Sequence, residues 1–132
     1  MSLVLDAGSI FEYLRDSRTG RRVRELMADD PRSDVPHLAI IETVSALRTA
    51  VRTGRLGPNR AEEALGDLAT FPARRWAADD LLGRIWELKD NITPYDAVYV
   101  ALAEKLGATL VTTDTKLASA ARTFSFVRVV VP

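Results

Sequence analysis

Apolar residues recur along this chain in two rhythms. Leu3-Val4-Leu5, Thr109 to Thr112 and the stretch from Phe126 to Val131 are short runs that read as strands, the last so rich in Val that a buried strand is expected. Elsewhere apolar residues return every three or four positions. Ile40, Val44, Leu47 and Val51 do so in a helix predicted from Leu38 to about Thr53, which GRLGP ends. Further helices are expected at Ile10 to Leu14 behind a Gly8-Ser9 turn, at about Thr19 to Ala28, and from Pro58 to about Thr70. Three more follow from Asp79 to about Lys89, from Thr93-Pro94 to Lys105 with Gly107 as its stop, and from Lys116 to Arg122. ARRWAA reads as a short strand, DDPRSD as a loop, and Val35-Pro36-His37 as a brief extended piece. Strands separated by helices predict an α/β domain with a parallel sheet covered on both faces. Ligands of such sheets sit beyond the carboxyl ends of the strands.

Composition narrows the chemistry. A chain of 132 residues is expected to form a single domain over residues 1–132 with its own core. No cysteine is present, which excludes disulfides, thiolate metal sites and a Cys nucleophile, and a single histidine, His37, excludes a multi-histidine zinc site. Eighteen basic residues balance eighteen acidic ones, so net charge argues neither for nor against a nucleic-acid partner. No apolar stretch approaches the roughly 18 residues of a membrane span, and a soluble, cytoplasmic protein is expected. Glycine cradles of the GxGxxG or P-loop kind are absent.

Four carboxylates carry the remaining signal. Asp6 ends the first apolar run and Asp114 follows TLVTT, so both are placed at the carboxyl end of a strand. Each has a plain alternative reading as the cap of the next helix. Asp96 has a similar one, because in TPYD Thr93 caps, Pro94 takes the first helical position and Asp96 stands where a capping box puts its acid. Glu42 lies opposite Ile40, Val44, Leu47 and Val51 on the helical wheel, which makes it a solvent-facing residue on periodicity alone. The capping readings leave the combination unexplained. Carboxylates gathered at one rim repel one another and raise each other's pKa unless a cation sits among them. Oxygen ligands without His or Cys suit Mg²⁺ or Mn²⁺.

LVLDAGSI, IIETVSALR, ITPYDAVYVALAEKLGATLVT and TTDTKLA, in this order and over essentially the whole chain, resemble the motifs of PIN-domain ribonucleases, and more narrowly of the VapC toxins of VapBC toxin-antitoxin modules. The resemblance implies a PIN-like three-layer α/β/α fold around a parallel sheet of about five strands. It makes Asp6, Glu42, Asp96 and Asp114 the catalytic acids, with Asp6 and Asp96 as direct ligands of Mg²⁺ or Mn²⁺ and Asp114 and Glu42 completing the metal site or holding water. Ser9 and Thr112 fall where such proteins often carry a polar residue beside the acids.

The activity so implied is metal-assisted hydrolysis of an RNA phosphodiester, of transfer or ribosomal RNA. The implied partners are a cognate VapB-type antitoxin, whose C-terminal segment reaches the acidic pocket with a basic side chain, and promoter DNA only through that complex. A homodimer or a toxin-antitoxin hetero-oligomer is expected, and no membrane. Two basic stretches are candidates for holding RNA: Arg15, Arg18, Arg21, Arg22 and Arg24, and Arg48, Arg52 and Arg55. A receiver domain would need paired acids after the first strand and an acceptor Asp ending the third, where ARRWAA has none. A haloacid-dehalogenase-like phosphatase would need an Asp at Gly8. A PIN-like module that binds RNA or a partner without cutting is the stronger rival.

Overall fold

A computed structural model describes residues 2–29 and 32–132. Five strands, β1 (Ser2–Leu5), β2 (Arg32–Pro36), β3 (Arg74–Trp76), β4 (Thr109–Val111) and β5 (Val129–Val130), form one sheet in the order β3-β2-β1-β4-β5. Every pairing is parallel, so every connection is a helical crossover. Helices α1 (Ala7–Leu14) and α2 (Arg18–Asp29) join β1 to β2, and α3 (His37–Arg52) and α4 (Pro58–Ala69) join β2 to β3. A 3-10 turn (Asp79–Leu81), α5 (Leu82–Glu87) and α6 (Pro94–Leu106) lead to β4, and α7 (Thr115–Phe124) leads to β5.

The strand order positions the site. From β1 the chain moves to β2 on one side, while β4 arrives on the other, so the connections leaving β1 and β4 diverge and open a crevice at their carboxyl ends. The seam between the two strands is closed at that point by the Asp6 N–H, which donates to the Val111 carbonyl at 3.1 Å. Both strands are dry: Val4, Leu5, Leu110 and Val111 are fully buried. Helix α6 packs on β1, β2 and β4 and is buried without a break from Ala97 to Ala103, the all-round burial that its weak polar periodicity calls for. Helices α1 and α2 touch at Gly20, where a Cβ would stand 1.9 Å from the Glu12 carbonyl oxygen. Among the described residues no helix is long and apolar enough to cross a membrane.

Two elements differ from the sequence-based expectation. Arg32 to Asp34 belong to a strand rather than to the expected DDPRSD loop, of which Asp30 and Pro31 lie outside the described residues. Asp34 is buried there because the indole N–H of Trp76, on the neighbouring strand, donates to its Oδ1 at 2.7 Å. The expected buried strand from Phe126 to Val131 shrinks to Val129–Val130 at the sheet edge, with Phe126 fully exposed. An edge strand has a neighbour on one side only, so valine content did not bring burial with it.

Candidate active site

Asp6 is the residue at which β1 stops being a strand and α1 begins. Its Oδ1 accepts the Ser9 N–H at 2.8 Å, capping α1, and its Oδ2 accepts the Thr112 hydroxyl. Asp6 is 5% exposed. Burial pushes its pKa up, and the bonds from Thr112 and Ser9 pull against that rise. Ser9, wholly buried, donates its own hydroxyl to the Val111 carbonyl at 3.1 Å and so ties α1 to the end of β4. Thr112 also accepts the Asp114 N–H at 2.9 Å. Ser9 and Thr112, expected only as polar neighbours of the acids, prove to be the struts that hold β1, β4 and both strand-end acids in register.

Asp114 caps α7, its Oδ1 accepting the N–H groups of Lys116 and Leu117 at 2.9 and 3.2 Å. The capping readings of Asp6 and Asp114 are thus correct, and both side chains still line the crevice. A carboxylate has four lone-pair directions, and a cap engages only some of them. At α6 the cap is Thr93, whose hydroxyl accepts the Asp96 N–H at 3.4 Å, with Pro94 in the first turn as the sequence predicts. The Asp96 carboxylate lines the crevice and is half-buried; burial raises its pKa, and the charges of Asp114 and Asp6 raise it further.

Glu42 corrects the periodicity argument. The buried stripe of α3 is Ala39, Thr43, Leu47 and Ala50, while Ile41 and Val44 are exposed. Three of the four buried positions are small or polar, so the buried side of α3 is rotated away from the larger apolar residues that hydropathy favours. That rotation turns Glu42 toward the crevice, half-buried, where its Oε1 accepts the hydroxyl of Tyr99 on α6. Burial raises the Glu42 pKa, the Tyr99 bond opposes the rise, and the charges of Asp96 and Asp6 add to it. Tyr99 is 2% exposed, and burial together with Glu42 holds its phenol protonated, far above the ordinary tyrosine range. Sequence reasoning missed Tyr99. The available signal was its position one helical turn beyond Asp96, on the same face.

The crevice is a cleft of about 500 Å³ whose lining includes all four acids. Gly8 lines it, and a Cβ there would stand 2.1 Å from the Thr113 Oγ1, which would have to turn aside. Of the two basic stretches, only Arg55 reaches this cleft. Among the described residues none of the four acids forms an ion pair. Nor does any group of three or more acidic or histidine side chains among those residues stand ready-clasped for a metal ion. The donor set nevertheless fits a hard divalent cation: oxygen only, uncompensated, and with three carboxyl pKa values raised by burial, those of Glu42 and Asp96 also by the charges of neighbouring acids.

Sheet order, crevice and acids together define a three-layer α/β domain with a carboxylate cluster at the carboxyl edge of a parallel sheet. The chain belongs to the PIN-domain family, whose profile matches residues 3–123. It is 37% identical over 115 residues to the VapC ribonuclease Mb0985 of Mycobacterium bovis, a match covering 87% of either chain. To ribonuclease VapC1 of Mycobacterium tuberculosis it is 34% identical over 118 residues, 89% of either chain. Among solved structures, PAE2754 from Pyrobaculum aerophilum matches with a TM-score of 0.70 at 22% identity, covering 98% of this chain and 83% of that one. VapBC2 from Rickettsia felis, solved bound to a fragment of promoter DNA, matches at 0.69 and 13% identity, covering 98% of each. At such identities the two structures speak to the fold alone.

Proposed function

We propose that residues 1–132 act as one PIN domain with the activity of a VapC-type endoribonuclease toxin, cutting RNA phosphodiester bonds at the cleft lined by Asp6, Glu42, Asp96 and Asp114. The observation that carries this reading is four mutually uncompensated carboxylates around one cleft at the switch point of the sheet. Relatives named VapC ribonucleases, at 37% and 34% identity over most of their length, support the activity.

Asp6 and Asp96 would be the direct ligands of Mg²⁺ or Mn²⁺, with Asp114 and Glu42 completing the site. When bound, such a cation lowers the pKa of coordinated water and takes up charge on phosphate oxygens. The chain's own residues do the positioning. Thr112 and Ser9 fix both oxygens of Asp6, the N-terminus of α7 fixes one oxygen of Asp114, and Tyr99 fixes one oxygen of Glu42. Such bonds aim the remaining lone pairs at the cleft and limit their reorientation when substrate arrives.

The acidic cleft also suits a regulator. A VapB-type antitoxin that inserts a basic side chain would relieve the same repulsion a cation relieves. Promoter DNA would be bound through that complex, and the toxin would work as a homodimer or within a toxin-antitoxin hetero-oligomer in the cytoplasm. Fold relatives solved as VapBC pairs provide the precedent for such a partner, and their likeness to this chain is one of fold.

The test is cleavage of total cellular RNA by the purified chain freed of co-purifying protein, compared with Asp96→Asn. Discrete fragments from wild type in Mg²⁺ or Mn²⁺, absent with chelator and absent from the variant, are expected, and their ends identify the RNA class. Intact RNA in every lane from folded protein would instead favour a PIN module that binds without cutting.

A further inference from the structure

The basic residues that the sequence groups along α3 part company in space. Arg48 and Arg52 line a largely apolar groove of about 340 Å³ between α3 and α4, together with Val44, Leu47, Val51 and Leu65. Arg55 lines the acidic cleft instead. The chain reversal after α3 is responsible. The N–H groups of Thr53, Gly54 and Arg55 donate back to the carbonyls of Thr49, Val51 and Ala50 at 2.9, 3.2 and 2.8 Å. Gly54 takes a φ of 73°, a left-handed conformation that favours glycine. Leu56 then donates to the same Ala50 carbonyl at 3.1 Å, so the backbone of Arg55 is fixed on both sides.

Between Glu42 and this turn, the exposed residues Ser45 and Thr49 also line the cleft. Glu42, Ser45 and Thr49 are spaced three and four residues apart, which makes one row on the helix, and the row covers about 10 Å of axis. It starts at an acid of the site and continues through two hydroxyl-bearing residues, and Arg55, in the turn beyond the helix, lines the same cleft. The opposite wall carries Glu12, but that carboxylate lies 3.6 Å from the Arg15 guanidinium and accepts the Ser17 hydroxyl. Arg55 has no ion-pair partner among the described residues.

We infer that Ser45, Thr49 and Arg55 form a phosphate-binding subsite that holds the RNA backbone beside the bond to be cut. The inference rests on the endoribonuclease reading and extends it. Four carboxylates repel a phosphodiester, so the strand needs an attractive hold outside the acid cluster. A guanidinium offers phosphate a forked pair of N–H donors, and hydroxyl groups commonly donate to backbone oxygens. Contacts of this kind set the register of the strand and carry no base information.

The test uses an RNA oligonucleotide spanning a cleavage site mapped in total cellular RNA, labelled with fluorescein, and the full chain carrying Asp96→Asn to prevent cutting. Binding is measured across a salt series for this protein, for the same protein with Arg55→Ala, and for it with Arg48→Ala. Arg55→Ala should weaken binding and flatten the salt dependence by about one contact, so that the affinity difference shrinks about threefold between 50 and 200 mM salt. Arg48→Ala should leave both unchanged. A Ser45→Ala, Thr49→Ala double variant should weaken binding with an unchanged salt slope. Equal affinity and slope for Arg55→Ala and its parent, in a protein that binds and in its Asp96 form cuts the RNA, would overturn the subsite alone. Failure of every form to bind or cut RNA would overturn the subsite together with the activity on which it rests.

Discussion

The Thr112 hydroxyl donates to Asp6 Oδ2, and the Thr112 Oγ1 in turn accepts the Asp114 N–H, so one side chain couples the two strand-end acids. Thr112 is fully buried. Thr112→Val keeps the shape and removes both bonds, leaving a buried carboxylate short of a donor. The expected cost is about 1–3 kcal/mol in urea unfolding. The Asp6 pKa should rise further, because the lost bond is one that lowers it.

Asp6, Glu42 and Asp96 all hold their protons more tightly in the folded chain than in the unfolded one. A group of this kind contributes stability that is complete below its unfolded pKa and is lost as pH rises through the raised folded value. Asp96→Asn mimics the protonated form. In chelator the variant should therefore be more stable than wild type at neutral pH and above. The advantage should fade as pH falls through the raised folded value and vanish below 3.8, the ordinary value for Asp96. Thermal unfolding of both proteins across a pH series reads this directly. Added Mn²⁺ should shrink the neutral-pH advantage by stabilising wild type more.

Gly8 and Thr113 make a two-residue test of the cleft floor. Gly8→Ala places a methyl 2.1 Å from Thr113 Oγ1, so that hydroxyl must turn aside, and the substitution should destabilise by about 0.5–1.5 kcal/mol. In a Thr113→Ala background the nearest remaining atom of that side chain is the Cβ at 3.5 Å, an ordinary contact. There Gly8→Ala should be neutral or stabilising by up to about 1 kcal/mol, the usual gain of Ala over Gly inside a helix. A double-mutant cycle by chemical denaturation checks the change of sign.

Tyr99→Phe removes the donor to Glu42 and changes little else in the core. Cleavage should fall about tenfold or more, in the range found when a partner of a ligating side chain is removed. Glu42→Gln combined with Tyr99→Phe should cost little more than Glu42→Gln alone. Additive losses in single-turnover cleavage would show that Tyr99 acts through something other than Glu42.

The fold was largely legible because its code is local. Alternating runs placed nearly every helix and strand, and TPYD, GRLGP and Gly107 marked ends that the structure keeps. The misreadings share a physical cause. Hydropathy counts large apolar side chains, whereas the buried side of α3 carries Ala39, Thr43 and Ala50 and leaves Ile41 and Val44 outside. Glu42 was misplaced by that rotation. Asp34 was read as loop because its partner, Trp76, is 42 residues away. The acids were legible singly as caps and together, at one rim, as a site; with β4 laid beside β1, Asp6 and Asp114 serve as both at once.

Isothermal titration of Mn²⁺ into the antitoxin-free wild type, Asp6→Asn and Asp96→Asn bears most directly on the central claim, that the acids form a cation-dependent site. A saturable site in wild type, lost or greatly weakened in both variants, with RNA cleavage by the same samples following Mn²⁺ occupancy, is the expected result. Equal Mn²⁺ binding by all three folded proteins, or cleavage that proceeds undiminished in chelator, would contradict it.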